Sequence, residues 1–148
     1  MRGHVGHSEV PGVGQVPRSV YHGGAGNDDF DVFRRPDGRD AFFGGPDRDR
    51  VGLLGGGPVV IDLSTGILDG GFDVETLRSI ENASSSRGDD TVIGNAARNV
   101  LFSGEGDDNV EGRGGNDLLF GDPGTDFLDG GAGTDECLDG ETVLNCEA

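Results

Sequence analysis

The chain has 148 residues, a length that suits one domain, but 30 are glycine, only 32% are apolar and there is no Trp, so a conventional packed core would be thin. Its 28 Asp and Glu stand against 11 basic residues, all Arg, and the net charge of −17 excludes nucleic acid and anionic membrane surfaces as partners while favouring cations. No apolar run is long enough to cross a membrane, and Met1 to Val20 lacks the charged and apolar regions of a secretory signal peptide. The composition alone also fits a disordered, solvating chain, so periodicity has to decide.

Residues 1–20 hold Pro, Gly and Val without helical or strand periodicity, including Val10-Pro11-Gly12-Val13-Gly14, and read as a flexible lead-in. His4 and His7 fall there; no third ligand is near, and they read as solvated. A first, rough set of nine-residue lines occupies 21–52: Gly23 to Asp31, then after three extra residues Arg35 to Phe43 and Gly44 to Gly52. Their sixth positions are Asp28, Asp40 and Asp49. Residues 53–84 lose the register. Val59 to Leu63 looks like a strand, Val74 to Ile80 like a short helical turn, and the stretch reads as an irregular linker against the repeats.

From Ser85 to Leu138 the chain divides into six gapless nine-residue lines: SSRGDDTVI, GNAARNVLF, SGEGDDNVE, GRGGNDLLF, GDPGTDFLD and GGAGTDECL. The eighth position is always apolar or Cys, at Val92, Leu101, Val110, Leu119, Leu128 and Cys137. The sixth is Asp at 90, 108, 117, 126 and 135, with Asn99 the exception, and the fourth is Gly in the same five lines. Glycine supplies positive φ at little cost and alternation turns position eight inward, so each line is a tight turn plus a short strand. Two lines make a coil of eighteen residues. Asp90, Asp108 and Asp126 then stack on one edge and Asn99, Asp117 and Asp135 on the other. Neighbouring parallel strands lie about 4.8 Å apart, so stacked carboxylates repel unless a cation sits between them. Ca²⁺ suits such a place because it takes six to eight oxygens, whereas Mg²⁺ demands a smaller octahedral cage. Zn²⁺ is disfavoured because the columns hold no His or Cys.

These lines resemble the RTX, or haemolysin-type, nonapeptide pattern GGxGxDxUx, specifically over 85–138 and more weakly over 23–52; Ile80-Glu81-Asn82 also resembles the segment that precedes such arrays. The resemblance implies an all-β, right-handed parallel β-roll (a β-solenoid) of nine-residue half-coils, with an irregular N-terminal lead-in and a C-terminal cap over 139–148. It further implies that each ion lies between two turns of one edge, held by carbonyls of positions two and four and the Asp of one turn, and by positions one and three and the Asp two repeats later. Carried onto this sequence, one site uses Gly104, Gly106 and Asp108 with Gly121, Pro123 and Asp126. A second uses Arg113, Gly115 and Asp117 with Gly130, Ala132 and Asp135, the Arg through its carbonyl. A third joins Ser86, Gly88 and Asp90 to Ser103, Glu105 and Asp108. A fourth, from Asn95, Ala97 and Asn99 to Gly112, Gly114 and Asp117, departs from the pattern and is expected to be weak or empty. Three to four Ca²⁺ ions are expected in 85–138, with further ions at Asp28, Asp40 and Asp49. Asp89, Asp107 and Asn116, at position five, read as turn-stabilising.

The line after Leu138 places Leu144 in the aspartate column, so the array is expected to end there. Cys137 and Cys146 are spaced for one small disulfide loop in an oxidising compartment, fastening the cap, with two free thiols the alternative. The expected function is calcium binding by a secreted, extracellular bacterial module that folds on Ca²⁺. The resemblance adds fusion or association with a secreted catalytic or adhesive domain. An enzyme reading finds no His-Glu-x-x-His, no Gly-x-Ser-x-Gly and no Cys with a plausible His partner. A structural or adhesive solenoid is the third reading.

Overall fold

A computed structural model describes residues 8–9, 19–33 and 39–147. His4, His7, the Val-Pro-Gly segment at 10–14 and the start of the second early line, 35–38, lie outside them. The first block supplies β1 (Ser8–Glu9), β2 (Ser19–His22), β3 (Asp29–Phe33), β4 (Ala41–Phe43) and β5 (Arg50–Leu54). The middle supplies β6 (Val60–Asp62), β7 (Ile67–Asp69), β8 (Val74–Arg78) and β9 (Asn82–Ser84). The six regular lines give one strand each: β10 (Thr91–Ile93), β11 (Val100–Phe102), β12 (Asn109–Glu111), β13 (Leu118–Phe120), β14 (Phe127–Asp129) and β15 (Glu136–Leu138). A last strand, β16 (Thr142–Leu144), follows.

Successive strands of the regular lines alternate between two sheets. One runs β1-β2-β4-β8-β7-β6-β10-β12-β14-β16 and the other β15-β13-β11-β9-β5-β3. Pairing is parallel with a step of two lines, Val92 beside Val110 beside Leu128 and Leu101 beside Leu119 beside Cys137. Only the middle residue of each three-residue strand points inward. Val92, Leu101, Val110, Leu119 and Leu128 are all fully buried in one continuous core, and Cys137 packs against it. Each such aliphatic burial contributes about 1.5–3 kcal/mol, and the same core continues through the earlier coils with Phe30, Val51, Ile61, Leu68 and Leu77.

The early coils are longer: Phe30 pairs with Val51 and Val20 with Ala41, because the three extra residues after Asp31 enlarge the coil. They still join the later ones. β9 is hydrogen-bonded in parallel between β5 and β11, so one sheet is unbroken from β3 to β15.

Three expectations are corrected. Val74 to Ile80 is not a helical turn; Val74–Arg78 is a strand whose alternate residues Glu75 and Leu77 are buried and whose backbone pairs with β4 and β7. Residues 53–84 do not merely lie against the repeats. They contribute strands to both sheets, with β7 turned antiparallel between β6 and β8. Within the lead-in, Ser8–Glu9 pairs antiparallel with β2. Among the described residues no helix is long and apolar enough to cross a membrane.

Candidate metal centre

The turns stack with backbone on backbone, which explains the glycine column. A Cβ placed on Gly106 would lie 2.1 Å from the Gly88 carbonyl oxygen, and one on Gly124 would lie 1.7 Å from that of Gly106. On the other edge a Cβ on Gly133 would meet the Gly115 carbonyl oxygen at 1.5 Å. No side chain fits between turns this close, and Gly88, Gly106, Gly115 and Gly133 also have positive φ.

Each sixth-position Asp ties its turn to the one before. The Oδ1 of Asp108 accepts the Asp90 N–H at 2.7 Å, and that of Asp126 accepts the Asp108 N–H at 2.9 Å. On the second edge Asp117 Oδ1 accepts from Asn99 N–H and Asp135 Oδ1 from Asp117 N–H, both at 2.7 Å. Asp49 Oδ1 accepts the Asp28 N–H at 2.8 Å, and Asp90 Oδ1 the Val59 N–H at 2.9 Å. Asp40, half-buried, accepts the Ser19 N–H.

The other oxygen of these groups is orphaned. Among the described residues the buried side-chain atoms lacking a hydrogen-bond partner are the Oδ2 atoms of Asp28, Asp49, Asp90, Asp108, Asp117, Asp126 and Asp135. All seven residues are at most 8% exposed. The Ser85 and Ser103 hydroxyls lie nearby but donate to carbonyls, Ser85 to Ser103 and Ser103 to Gly121. Leaving one buried acceptor unmet costs about 1–3 kcal/mol, and more when it is charged. Burial accordingly pushes Asp90 and Asp117 up to about 6 and raises Asp49, Asp108 and Asp126 above the ordinary carboxylate range.

The orphaned oxygens face further acceptors. A Cβ built on Gly112 would lie 2.5 Å from both Asp117 Oδ2 and the Gly130 carbonyl oxygen, so the two oxygens are neighbours, and no donor reaches that Oδ2. A hard cation is the group that such an all-oxygen niche fits. Several carbonyls expected as ligands also serve the backbone: Ser86 accepts from Glu105 N–H, Arg113 from Ala132 N–H, and Pro123 from Gly106 N–H. Each has a second lone pair. Among the described residues no three His, Cys, Asp or Glu side chains gather as a metal cluster, so any ion here depends on carbonyls to complete its shell.

Asn99 behaves differently from the aspartates. Its Nδ2 donates to the Glu81 carbonyl at 2.6 Å and to Asn95 Oδ1 at 3.0 Å, and its Oδ1 accepts the Asn95 N–H at 2.8 Å. The amide supplies the donor that every aspartate of the column lacks. At position five, Asp89 and Asp107 accept N–H groups of Asp107 and Thr125 one coil on, and Asn116 accepts from Thr134, so these side chains bridge turns.

Cys137 and Cys146 form a disulfide. The chain does not leave the roll at Leu138: β16 pairs in parallel with β14, Leu128 beside Val143. Glu141, rather than Leu144, enters the aspartate column, its Oε2 accepting the Asp126 N–H at 2.6 Å. Glu147 does the same for Asp135 at 2.5 Å, Glu81 for Asp49 at 3.0 Å and Glu75 for Asp40. The nine-residue register missed these four glutamates because they reach the column from turns of other lengths. A Ser, Asp or Asn stands two residues before each, but also before Glu105 and Glu111, so the sequence carries no signal specific to them.

The described residues form a parallel two-sheet solenoid whose turns stack buried aspartates beside backbone carbonyls, an arrangement suited to a hard cation. Residues 84–118 and 102–137 match the RTX calcium-binding nonapeptide repeat family, in four copies. That family is a non-catalytic, Ca²⁺-binding repeat. No curated protein matches the chain.

Proposed function

We propose that the chain is a secreted calcium-dependent folding module: a right-handed β-roll that stays unfolded where Ca²⁺ is scarce and orders where it is abundant outside the cell. The observation that carries this reading is the set of seven buried, unpartnered aspartate oxygens, a cost with no return unless a cation binds. Three cages of the regular array use Asp90 with Asp108, Asp108 with Asp126, and Asp117 with Asp135, each completed by turn carbonyls. A fourth, in the early block, uses Asp28 with Asp49. The ion neutralises paired carboxylates and clamps consecutive turns, and its binding free energy becomes folding free energy. Extracellular modules of this sort work at about 10⁻⁴ to 10⁻³ M Ca²⁺. The module carries no catalysis of its own and stands beside a secreted catalytic or adhesive domain.

Far-UV circular dichroism of the EDTA-stripped chain during a Ca²⁺ titration, with Mg²⁺ as control, is the test. A cooperative gain of β signal with Ca²⁺ alone is expected. A β signal already complete in EDTA would refute calcium-driven folding.

A further inference from the structure

Four glutamates accept the N–H of a column aspartate, Glu75 from Asp40, Glu81 from Asp49, Glu141 from Asp126 and Glu147 from Asp135, and the last three share a local geometry. Each follows, by two residues, a non-glycine residue in the left-handed region: Ser79 (φ 51°) before Glu81, Asp139 (φ 59°) before Glu141, and Asn145 (φ 52°) before Glu147. A left-handed non-glycine residue costs about 1 kcal/mol or more, and three in equivalent places call for a common cause. In each case that residue's carbonyl oxygen and an orphaned aspartate oxygen are neighbours, both lying within 2.8 Å of the place a Cβ would take on one glycine. In front of Gly44, the Ser79 carbonyl oxygen and Asp49 Oδ2 lie 2.1 and 2.2 Å from one point; in front of Gly121, the Asp139 carbonyl oxygen and Asp126 Oδ2 lie at 2.5 and 2.6 Å. In front of Gly130, the Asn145 carbonyl oxygen and Asp135 Oδ2 lie at 2.3 and 2.8 Å. The same placement occurs inside the regular array at Gly112 and, with Asn99 Oδ1 in place of a carboxylate oxygen, at Gly94, so what distinguishes a cage is the orphaned, buried carboxylate.

We propose that Ser79-Ile80-Glu81, Asp139-Gly140-Glu141 and Asn145-Cys146-Glu147 are corner motifs that close three further calcium cages, on Asp49, Asp126 and Asp135. None belongs to a nonapeptide line, and Glu141 and Glu147 lie beyond the matched stretch. The left-handed residue supplies the carbonyl of a missing nonapeptide turn. The Glu two residues later supplies the carboxylate, and its extra methylene spans the distance that a differently sized turn leaves. The buried partners are the required second element: Asp49, Asp126 and Asp135 are at most 1% exposed and each keeps an unpartnered Oδ2. Asp139 and Glu141 also line an open groove with Asp122, Pro123 and Gly124, so these two residues are reachable from solvent. The disulfide holds Cys146 at the centre of the third corner.

The inference rests on the calcium reading above and sharpens it into a count. Repeat pairs alone make four cages, on the Oδ2 atoms of Asp28, Asp90, Asp108 and Asp117. The corners use the remaining three, so every orphaned oxygen has an ion and the total is 4 + 3 = 7.

Native mass spectrometry of the full, disulfide-intact chain at saturating Ca²⁺ reads that total directly. Seven ions are expected in the wild type, one fewer in Glu141→Gln and in Glu147→Gln, two fewer in the double variant, and no change in Glu136→Gln on the exposed face of β15. The Gln side chain keeps an oxygen for the aspartate N–H and loses the charge. Four ions in the wild type, or an unchanged count in both Gln variants, would overturn the corner cages while leaving calcium binding intact. A wild type with no bound ion would overturn the calcium reading itself. The wild-type count needs no variant to fold, so a collapsed Gln variant does not remove the test.

Discussion

Asp108 occupies the position where the argument can be broken most cleanly, because its two oxygens do different work. Oδ1 takes the Asp90 N–H, which an asparagine oxygen can also do, while Oδ2 is buried without a hydrogen-bond partner. Asp108→Asn therefore keeps the turn-to-turn hydrogen bond and removes one negative charge from two cages. With Ca²⁺ at about 100 times its dissociation constant, each site contributes about 2.7 kcal/mol, so weakening two should cost up to about 5 kcal/mol. In EDTA the sign reverses. Burial already raises the Asp108 pKa, so replacing the buried carboxylate with a neutral amide relieves a desolvation cost and leaves the metal-free chain equally or more ordered. The assay is thermal unfolding followed by far-UV circular dichroism, in Ca²⁺ and in EDTA, with Asp107→Asn as the exposed control that also retains its oxygen acceptor. A loss of equal size in both conditions would refute the division of labour between the two oxygens.

The metal-free chain should gain β signal as pH falls from about 7 towards 4: Asp90 and Asp117 have folded pKa values near 6, above the ordinary 3.8, so the folded form holds their protons more tightly. That stability is fully present below about 3.8 and is lost as pH rises through about 6; a pH titration in EDTA with no such gain would contradict the burial of these carboxylates. Gly106→Ala should abolish the calcium-induced β signal or raise the Ca²⁺ needed by an order of magnitude or more, because the new Cβ would meet the Gly88 carbonyl at a φ of 142°. Reducing the Cys137–Cys146 disulfide, whose sequence separation is 9, should lower stability by about 2–3 kcal/mol by chain-entropy arithmetic, read as a fall in thermal midpoint in Ca²⁺.

The parts legible in the sequence were those fixed by strict period. Position eight repeats without a gap, so the buried row from Val92 to Leu128 and its eighteen-residue register could be placed by counting, and the aspartate ladder followed from the same arithmetic. Where the coil changes length the arithmetic stops. Val74–Arg78 alternates in burial over only five residues, too few to separate a strand from a helical turn without its partners β4 and β7, which lie far away in sequence. Glu81, Glu141 and Glu147 were out of reach for a related reason: a longer side chain on another turn length reaches the same point in space from a different place in the register.

Asn99 gives the physical meaning of the one exception in the column. Its amide hydrogens meet the Glu81 carbonyl and Asn95 Oδ1, so at this turn the chain itself supplies the donor that the proposed ions would replace elsewhere in the column. An array made wholly of carboxylate pairs would have no coil stable before the first ion binds, and like-charge repulsion would oppose every nucleus. One amide-bonded coil near the middle of an unbroken sheet offers a place from which ordering can spread in both directions, as nearest-neighbour coupling in a solenoid permits. The departure from the repeat is thus physically consistent with the proposed cages: the ions would serve columns that lack donors, and at Asn99 the chain supplies its own.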